Sequence, residues 1–231
     1  MSAIRIVRMS TVALLGATML LSDSRLVGGE IDAPAVVAPS LQFELDLSQQ
    51  ELRDLSGNNN TVQVVGELPI VQNGRQFSRQ GFIDIPPSEA LHCDNTAWTA
   101  EATVIPDAND VQARDVAILT HGGSQDGYAL ALRDGIPEFV IVANGRRHVV
   151  RGTERITGRT TLTGIINAQR RASLEVNGVE VDFLLLPGLM GLPEQGMQIG
   201  SDQGVRVNDP RLLGFIGVIE RVRIYRGVPS R

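Results

Sequence analysis

From Leu41 onward, apolar and polar side chains alternate with a period of two. Trp98, Ala100, Ala102 and Val104 interleave with Thr99, Glu101 and Thr103, the pattern of a strand with one face in the core. Tyr128, Leu130 and Leu132 interleave with Ala129, Ala131 and Arg133 and stop at Asp134-Gly135. A strand through Phe139 and Ile141 turns at Asn144-Gly145 into His148-Val149-Val150. Leu174 and Val176 alternate with Ser173 and Glu175 before Asn177-Gly178 returns the chain through Val179 and Val181. Asn-Gly and Asp-Gly pairs between alternating runs predict tight hairpins, because both residues accept positive φ. The sole helical candidate is one turn around Ser88 to Leu91. Many short strands joined by tight turns predict an all-β fold, a two-sheet antiparallel sandwich.

Two segments break the alternation. Leu184-Leu185-Leu186-Pro187 is apolar throughout, which predicts a strand end buried on both sides or a loop tucked under the sandwich. In the last strand, Phe215, Gly217 and Ile219 share one parity, whereas Val222 and Ile224 take the other. One extra residue near Glu220-Arg221 restores the pattern, which predicts a β-bulge that re-aims Glu220.

The first 40 residues read differently. Arg5 and Arg8 precede an apolar run from Met9 to Leu21, with Ser22 and Ser24 behind it. This predicts a signal peptide over 1–24, a linker over 25–40 rich in glycine and proline, and one domain over 41–231. The run falls short of the about 20 apolar residues of a transmembrane helix. A secreted, periplasmic or cell-surface protein is expected, with no membrane insertion after signal cleavage; an uncleaved N-terminal anchor is the alternative.

Composition narrows the partners. The 231 residues are 42% hydrophobic and 20% charged, enough for a core and too apolar for a disordered chain. A net charge of −5 disfavours nucleic acid and anionic membranes. All 21 basic residues are arginine, planar forks suited to carboxylate, sulfate or phosphate. Cys93 is the only cysteine, so no intramolecular disulfide can form.

Five stretches, in order, carry a family resemblance. They are Leu55-Ser56-Gly57-Asn58-Asn59-Asn60; Gly81-Phe82-Ile83-Asp84-Ile85-Pro86 ahead of Trp98-Thr99-Ala100-Glu101-Ala102; Ile118-Leu119 with Gly127-Tyr128-Ala129-Leu130; Leu174-Glu175-Val176-Asn177-Gly178; and Phe215 to Tyr225. Together the chain resembles the laminin-G-like jelly-roll modules of the concanavalin A-like lectin and glucanase superfamily. The resemblance implies two curved antiparallel sheets and a module that binds glycans or extracellular proteins. It also implies a calcium ion at the sandwich rim, held by Asp54, Asn58 or Asn60, and Glu220. Calcium takes six to eight oxygen ligands, which such a loop and bulge would supply. Here the bulge carries glutamate in place of the family's usual aspartate, with Arg221 beside it.

Catalysis is not expected. Glycosidases on this fold set two carboxylates at alternate strand positions so that both face one cleft. Glu44-Leu45-Asp46-Leu47 begins such a pattern, but Ser48 stands where the second glutamate is required; Glu180-Val181-Asp182 fails likewise at Leu184. His92, His121 and His148 share no metal-ligand spacing. A non-catalytic binding module is the expectation, with carbohydrate as the leading ligand. Aromatic residues form only 4% of the chain, and Trp98, Tyr128 and Tyr225 are expected in the core or at its rim, so a stacking platform is poorly supplied. Arg146, Arg147 and Arg151, with Arg155, Arg159, Arg170 and Arg171 nearby, form instead a candidate basic patch for sulfated or carboxylated glycans. A solvated face laced with Asp134 and Glu154 is the alternative, as is a protein-interaction module of the envelope or matrix.

Overall fold

A computed structural model describes residues 38–93, 95–107, 115–203, 207 and 212–230. The compact unit runs Val37–Arg231. The expected signal peptide and nearly all of the expected linker lie outside the described residues.

The strands in chain order are β1 (Ser40–Asp46), β2 (Gln63–Val65), β3 (Ile70–Val71), β4 (Gly74–Ser78), β5 (Phe82–Ile85), β6 (Trp98–Pro106), β7 (Asp115–Gly122) and β8 (Gly127–Arg133). There follow β9 (Ile136–Ala143), β10 (Arg146–Arg151), β11 (Thr160–Ile166), β12 (Arg171–Val176), β13 (Val179–Leu185), β14 (Met197–Ile199), β15 (Leu213–Gly214) and β16 (Ile216–Arg226). A single 3₁₀ turn at Glu89–Leu91 occupies the place of the helical candidate. Among the described residues the strands form two eight-stranded sheets. The first runs β13-β12-β11-β6-β16-β4-β3 with β1 also on β16; the second runs β10-β9-β8-β7-β14-β5-β2 with β15 on β7. Every pairing is antiparallel except β15 with β7.

Three hairpins turn where the sequence predicts. Asp134 and Gly135, Asn144 and Gly145, and Asn177 and Gly178 all have positive φ, which matches the turn's twist to that of the strands. Trp98, Ala100, Ala102 and Val104 point inward and are buried. Across the sandwich Trp98 stacks on Tyr128, with ring centroids 4.0 Å apart. Gly164 of β11 leaves the space that the Phe139 ring fills, and a Cβ there would lie 2.6 Å from that ring.

The alternation on β8 conceals a second buried face. Ala129 and Ala131 face away from the main core yet are fully buried, in small clusters with Val140, Val142 and Val207, and with Ala117 and Leu212. Small side chains allow that close cover.

The leucine run departs from expectation. Leu184 and Leu185 end β13, which among the described residues is an edge strand of the first sheet and pairs only with β12. Val179, Phe183 and Leu185 are 66%, 52% and 69% exposed, and only Leu186 beyond the strand is fully buried. An apolar run reads as core, but nothing in it reveals that the strand has a neighbour on one side only.

The bulge in β16 is present, with a register shift between Ile219 and Arg221 opposite β6. It coincides with a change of partner on the opposite edge of the strand. Ile216–Ile219 pair with β4, whereas Arg221–Arg226 pair with β1, and Glu220 lies at the junction, its carbonyl accepting the Leu47 N–H at 2.9 Å.

Candidate functional site

The outward side chains of β1, β16, β6 and β11 lie in transverse rows. One row pairs Asp46 with Arg221, Arg221 with Thr103 and Thr103 with Thr161. The next pairs Glu44 with Arg223, Arg223 with Glu101 and Glu101 with Thr163. The rows exist because β1 carries carboxylates two residues apart and β16 carries guanidinium groups two residues apart, and the register sets them opposite each other.

Ion pairs knit the rows together. Arg223 donates from Nε to Glu44 at 3.0 Å and from Nη1 to Glu101 at 3.2 Å. Arg221 reaches Asp46 at 3.5 Å, and Arg159 Nε donates to the nearly buried Glu220 at 2.8 Å. Thr103 and Thr161 share a hydroxyl hydrogen bond of 3.0 Å. Asp46, Ser48, Glu101, Thr103, Arg159, Thr161, Glu220, Arg221 and Arg223 line, with Asn73, a groove of about 530 Å³.

The charges shape one another. Burial alone would raise the Asp46 carboxyl, but the Ser48 hydroxyl and N–H, Gln49 and the Arg221 charge together hold it below the usual carboxylate range. Burial would lower Arg223, but the hydrogen bond to Glu44 together with the charges of Tyr225, Glu101 and Glu44 raises it above its ordinary value. Tyr225, half-buried beside this row, is raised by burial, against the pull of Arg223 and with the push of Glu101 and Glu44. Ser48 at the missing-glutamate position donates both its N–H and its hydroxyl to Asp46, at 3.0 and 2.7 Å.

The residues expected to hold calcium are not gathered into one ligand set. Asp54 accepts from the backbone N–H groups of Glu44, Ser56 and Asn60 at 3.1, 2.9 and 3.0 Å. It also accepts from the Ser56 hydroxyl at 2.9 Å and the Asn60 amide at 2.7 Å. Burial works to raise its carboxyl, and these donors bring it below the usual range. Asn58 and Asn60 spend their amide N–H groups on the Gln42 carbonyl, and the Ser88 hydroxyl donates to the Asn60 amide oxygen. Glu220 is bound to Arg159, and among the described residues it shares no hydrogen-bond partner with Asp54. A carboxylate ringed by N–H and O–H donors is filled as an anion is, so this arrangement does not fit a calcium ion.

Four arginines of the candidate patch divide among three carboxylates. Arg147 and Arg151 of β10 approach Glu138 of β9 at 3.8 and 3.5 Å, and Arg133 of β8 reaches it at 3.2 Å. The Glu138 side chain is 4% exposed, and Asp115 lies 3.7 Å from Arg133. Arg146 is exposed at the start of β10 and outside this group. Arg159 belongs to the groove, Arg170 donates to the Pro187 carbonyl, and Arg171 pairs with Glu180. Arg147 and Arg151, Arg159, and Arg171 thus answer to three different carboxylates, Glu138, Glu220 and Glu180. Sequence reading missed Glu138 and the paired rows. A signal for the rows existed in the matched spacing of Glu44 and Asp46 with Arg221 and Arg223; Glu138, one acid in an apolar strand, gave almost none.

The histidines stand apart from the groove lining. His121 is in the core, edge to face with Tyr128.

The sequence matches no protein-family profile. No curated protein matches it either. Solved structures do resemble the fold. The binding domain of Paraclostridial Mosquitocidal Protein 1 aligns with a TM-score of 0.66 at 16% identity, over 83% of this chain and 50% of that one. The binding domain of botulinum neurotoxin DC in complex with SialylT aligns at 0.65 and 13% identity, over 82% and 48%. The same domain in complex with rat synaptotagmin II aligns at 0.63 and 12% identity, over 82% and 49%. The chain thus spans about half the length of the chains it matches, and at this identity the likeness establishes the two-sheet sandwich alone.

Proposed function

We propose that this chain is a non-catalytic glycan-binding module whose ligand lies in the groove on the outer face of the first sheet. The observation that carries the reading is the groove itself, lined by carboxylates and guanidinium groups that hold one another in place at 2.8 to 3.5 Å. Sugar hydroxyls both donate and accept, and such pairs offer both functions at fixed positions with little ordering cost on binding. Hydrolysis is not proposed, because Ser48 supplies a hydroxyl that serves Asp46 where a second carboxylate would be needed. The resemblance to laminin-G-like modules supports a binding role, as do solved neighbours that are binding domains, one with SialylT and another with synaptotagmin II. The signal-like N-terminus supports an exported protein that meets its ligand outside the cytoplasm.

A glycan array tests the proposal. The native chain is expected to retain a defined set of glycans, and Arg223→Ala to lose them at least ten-fold, because Glu44 and Glu101 both lose the hydrogen bond that positions them. Retention of no glycan, or unchanged retention by a folded Arg223→Ala variant, would overturn it.

A second reading is favoured by the three guanidinium groups around Glu138. They would take a sulfate or carboxylate group on an anionic glycan, with Arg146 at the margin. Retention on a sulfated-polysaccharide column at low salt, abolished by replacing Arg146 and Arg147 with alanine, is its expected signature. Absence of retention removes it.

A further inference from the structure

We infer that Phe183, Arg171 and Glu180 form a second subsite on the outer face of the first sheet, a stacking platform for one ring of an oligosaccharide. The inference rests on the glycan-binding reading above and extends it to a longer ligand.

Phe183 is the one aromatic residue of this chain more than half exposed; the others are buried or partly buried. Its ring is not loose. The Arg171 guanidinium carbon lies 3.9 Å from the ring centroid, and the same guanidinium makes two hydrogen bonds of 2.6 Å to the two carboxylate oxygens of Glu180. One hydrogen-bonded fork thus fixes the ring from one side and presents N–H donors and carboxylate acceptors at its edge. The hydrogen bond from Arg171 holds the Glu180 carboxyl below its ordinary range and raises Arg171 correspondingly, which keeps both groups charged.

A half-exposed aromatic ring beside directional polar groups suits a ligand with the same division, an apolar C–H face edged by hydroxyls. A pyranose ring has that division. An apolar protein segment suits it less, because the strand carrying Phe183 also carries Glu180 and Asp182 and is bulged at Val181, features that blunt edge-to-edge pairing. The register places the subsite relative to the groove. Glu101 of the groove pairs with Thr163, Thr163 with Glu175, and Glu175 with Glu180, so the groove and the subsite share one transverse row. Three strand spacings separate Glu101 from Glu180, roughly 14 Å. A ligand touching both the groove and Phe183 must therefore be an oligosaccharide.

Isothermal titration with cello-, xylo- and manno-oligosaccharides of two to six residues, beside the glycan array, tests the subsite. Affinity is expected to rise with chain length. Phe183→Ala is expected to lose at least ten-fold for the longest bound ligand while keeping the affinity for the shortest, and Phe183→Trp to restore it. The exposed position means that neither variant should shift the melting temperature. Native affinity of Phe183→Ala for the longest ligand, with Arg223→Ala still defective, would overturn the subsite and leave the groove reading standing. If the native chain binds no oligosaccharide at all, both fall. Dispersal of a native dimer by Phe183→Ala in sedimentation would show that Phe183 is a contact between copies, and would also overturn the subsite.

Discussion

His121 faces Tyr128 across β7 and β8, rings edge to face with centroids 5.3 Å apart, and its Nδ1 has no hydrogen-bond partner among the described residues. Burial, with a smaller contribution from His92, lowers its pKa from 6.5 to about 3. The unfolded chain therefore takes up a proton on this residue below about pH 6.5, whereas the folded chain does so only near pH 3. Its contribution to stability is complete above that window and is lost as pH falls through it, at about 1.4 kcal/mol per pH unit. Urea denaturation between pH 6.5 and 4 should show this slope, and His121→Leu should remove most of it; an equal slope in the variant would assign the effect elsewhere. Asp46 and Asp54, both held below their ordinary range, add a further loss nearer pH 4 and below. Asp54 also makes a prediction of its own. Replacing it with alanine frees three backbone N–H groups and should cost about 2–4 kcal/mol in urea denaturation. A chelator should leave the native melting temperature unchanged, and a fall on adding it would restore the calcium reading.

Among the elements, β11 shows why a strand glycine matters. At Gly164 a methyl group would meet the Phe139 ring at 2.6 Å, inside any van der Waals contact. Gly164→Ala is expected to destabilise by about 1–3 kcal/mol in thermal or urea unfolding, as overpacked cores do. A neutral effect would mean that the ring moves at no cost. The alternating strands and the Asn-Gly and Asp-Gly turns were legible in sequence because both signals are local: side-chain parity and the φ demands of two residues. The bulge at Glu220 was legible for the same reason, as a break in parity. The edge position of β13 was not, since Leu184 and Leu185 look the same in a central strand and at an edge. The outward burial of Ala129 and Ala131 was equally hidden, because alternation reports one buried face and says nothing of cover on the other.

At the scale of the whole molecule, β16 joins the fold. It pairs with β6 on one side and with β4 and then β1 on the other, and it carries Arg221 and Arg223 into the groove. A chain ending at Gly214 should therefore fail to fold, with no cooperative thermal transition by circular dichroism. A cooperative transition in that truncation would show the rest of the first sheet to be self-sufficient. The sequence by itself determined the fold class, most of the strands, the hairpins and the bulge, because each is written in neighbouring residues. It also held the components of the groove, carboxylates at Glu44 and Asp46 and guanidinium groups at Arg221 and Arg223. Tertiary structure alone decided that these charges meet, since strands some 175 residues apart become neighbours only through the sheet order. It also set Arg147 and Arg151, Arg159, and Arg171 against three different carboxylates and brought Phe183 to the surface. Strand order is a non-local property, fixed by which faces can be buried together, and no local pattern encodes it.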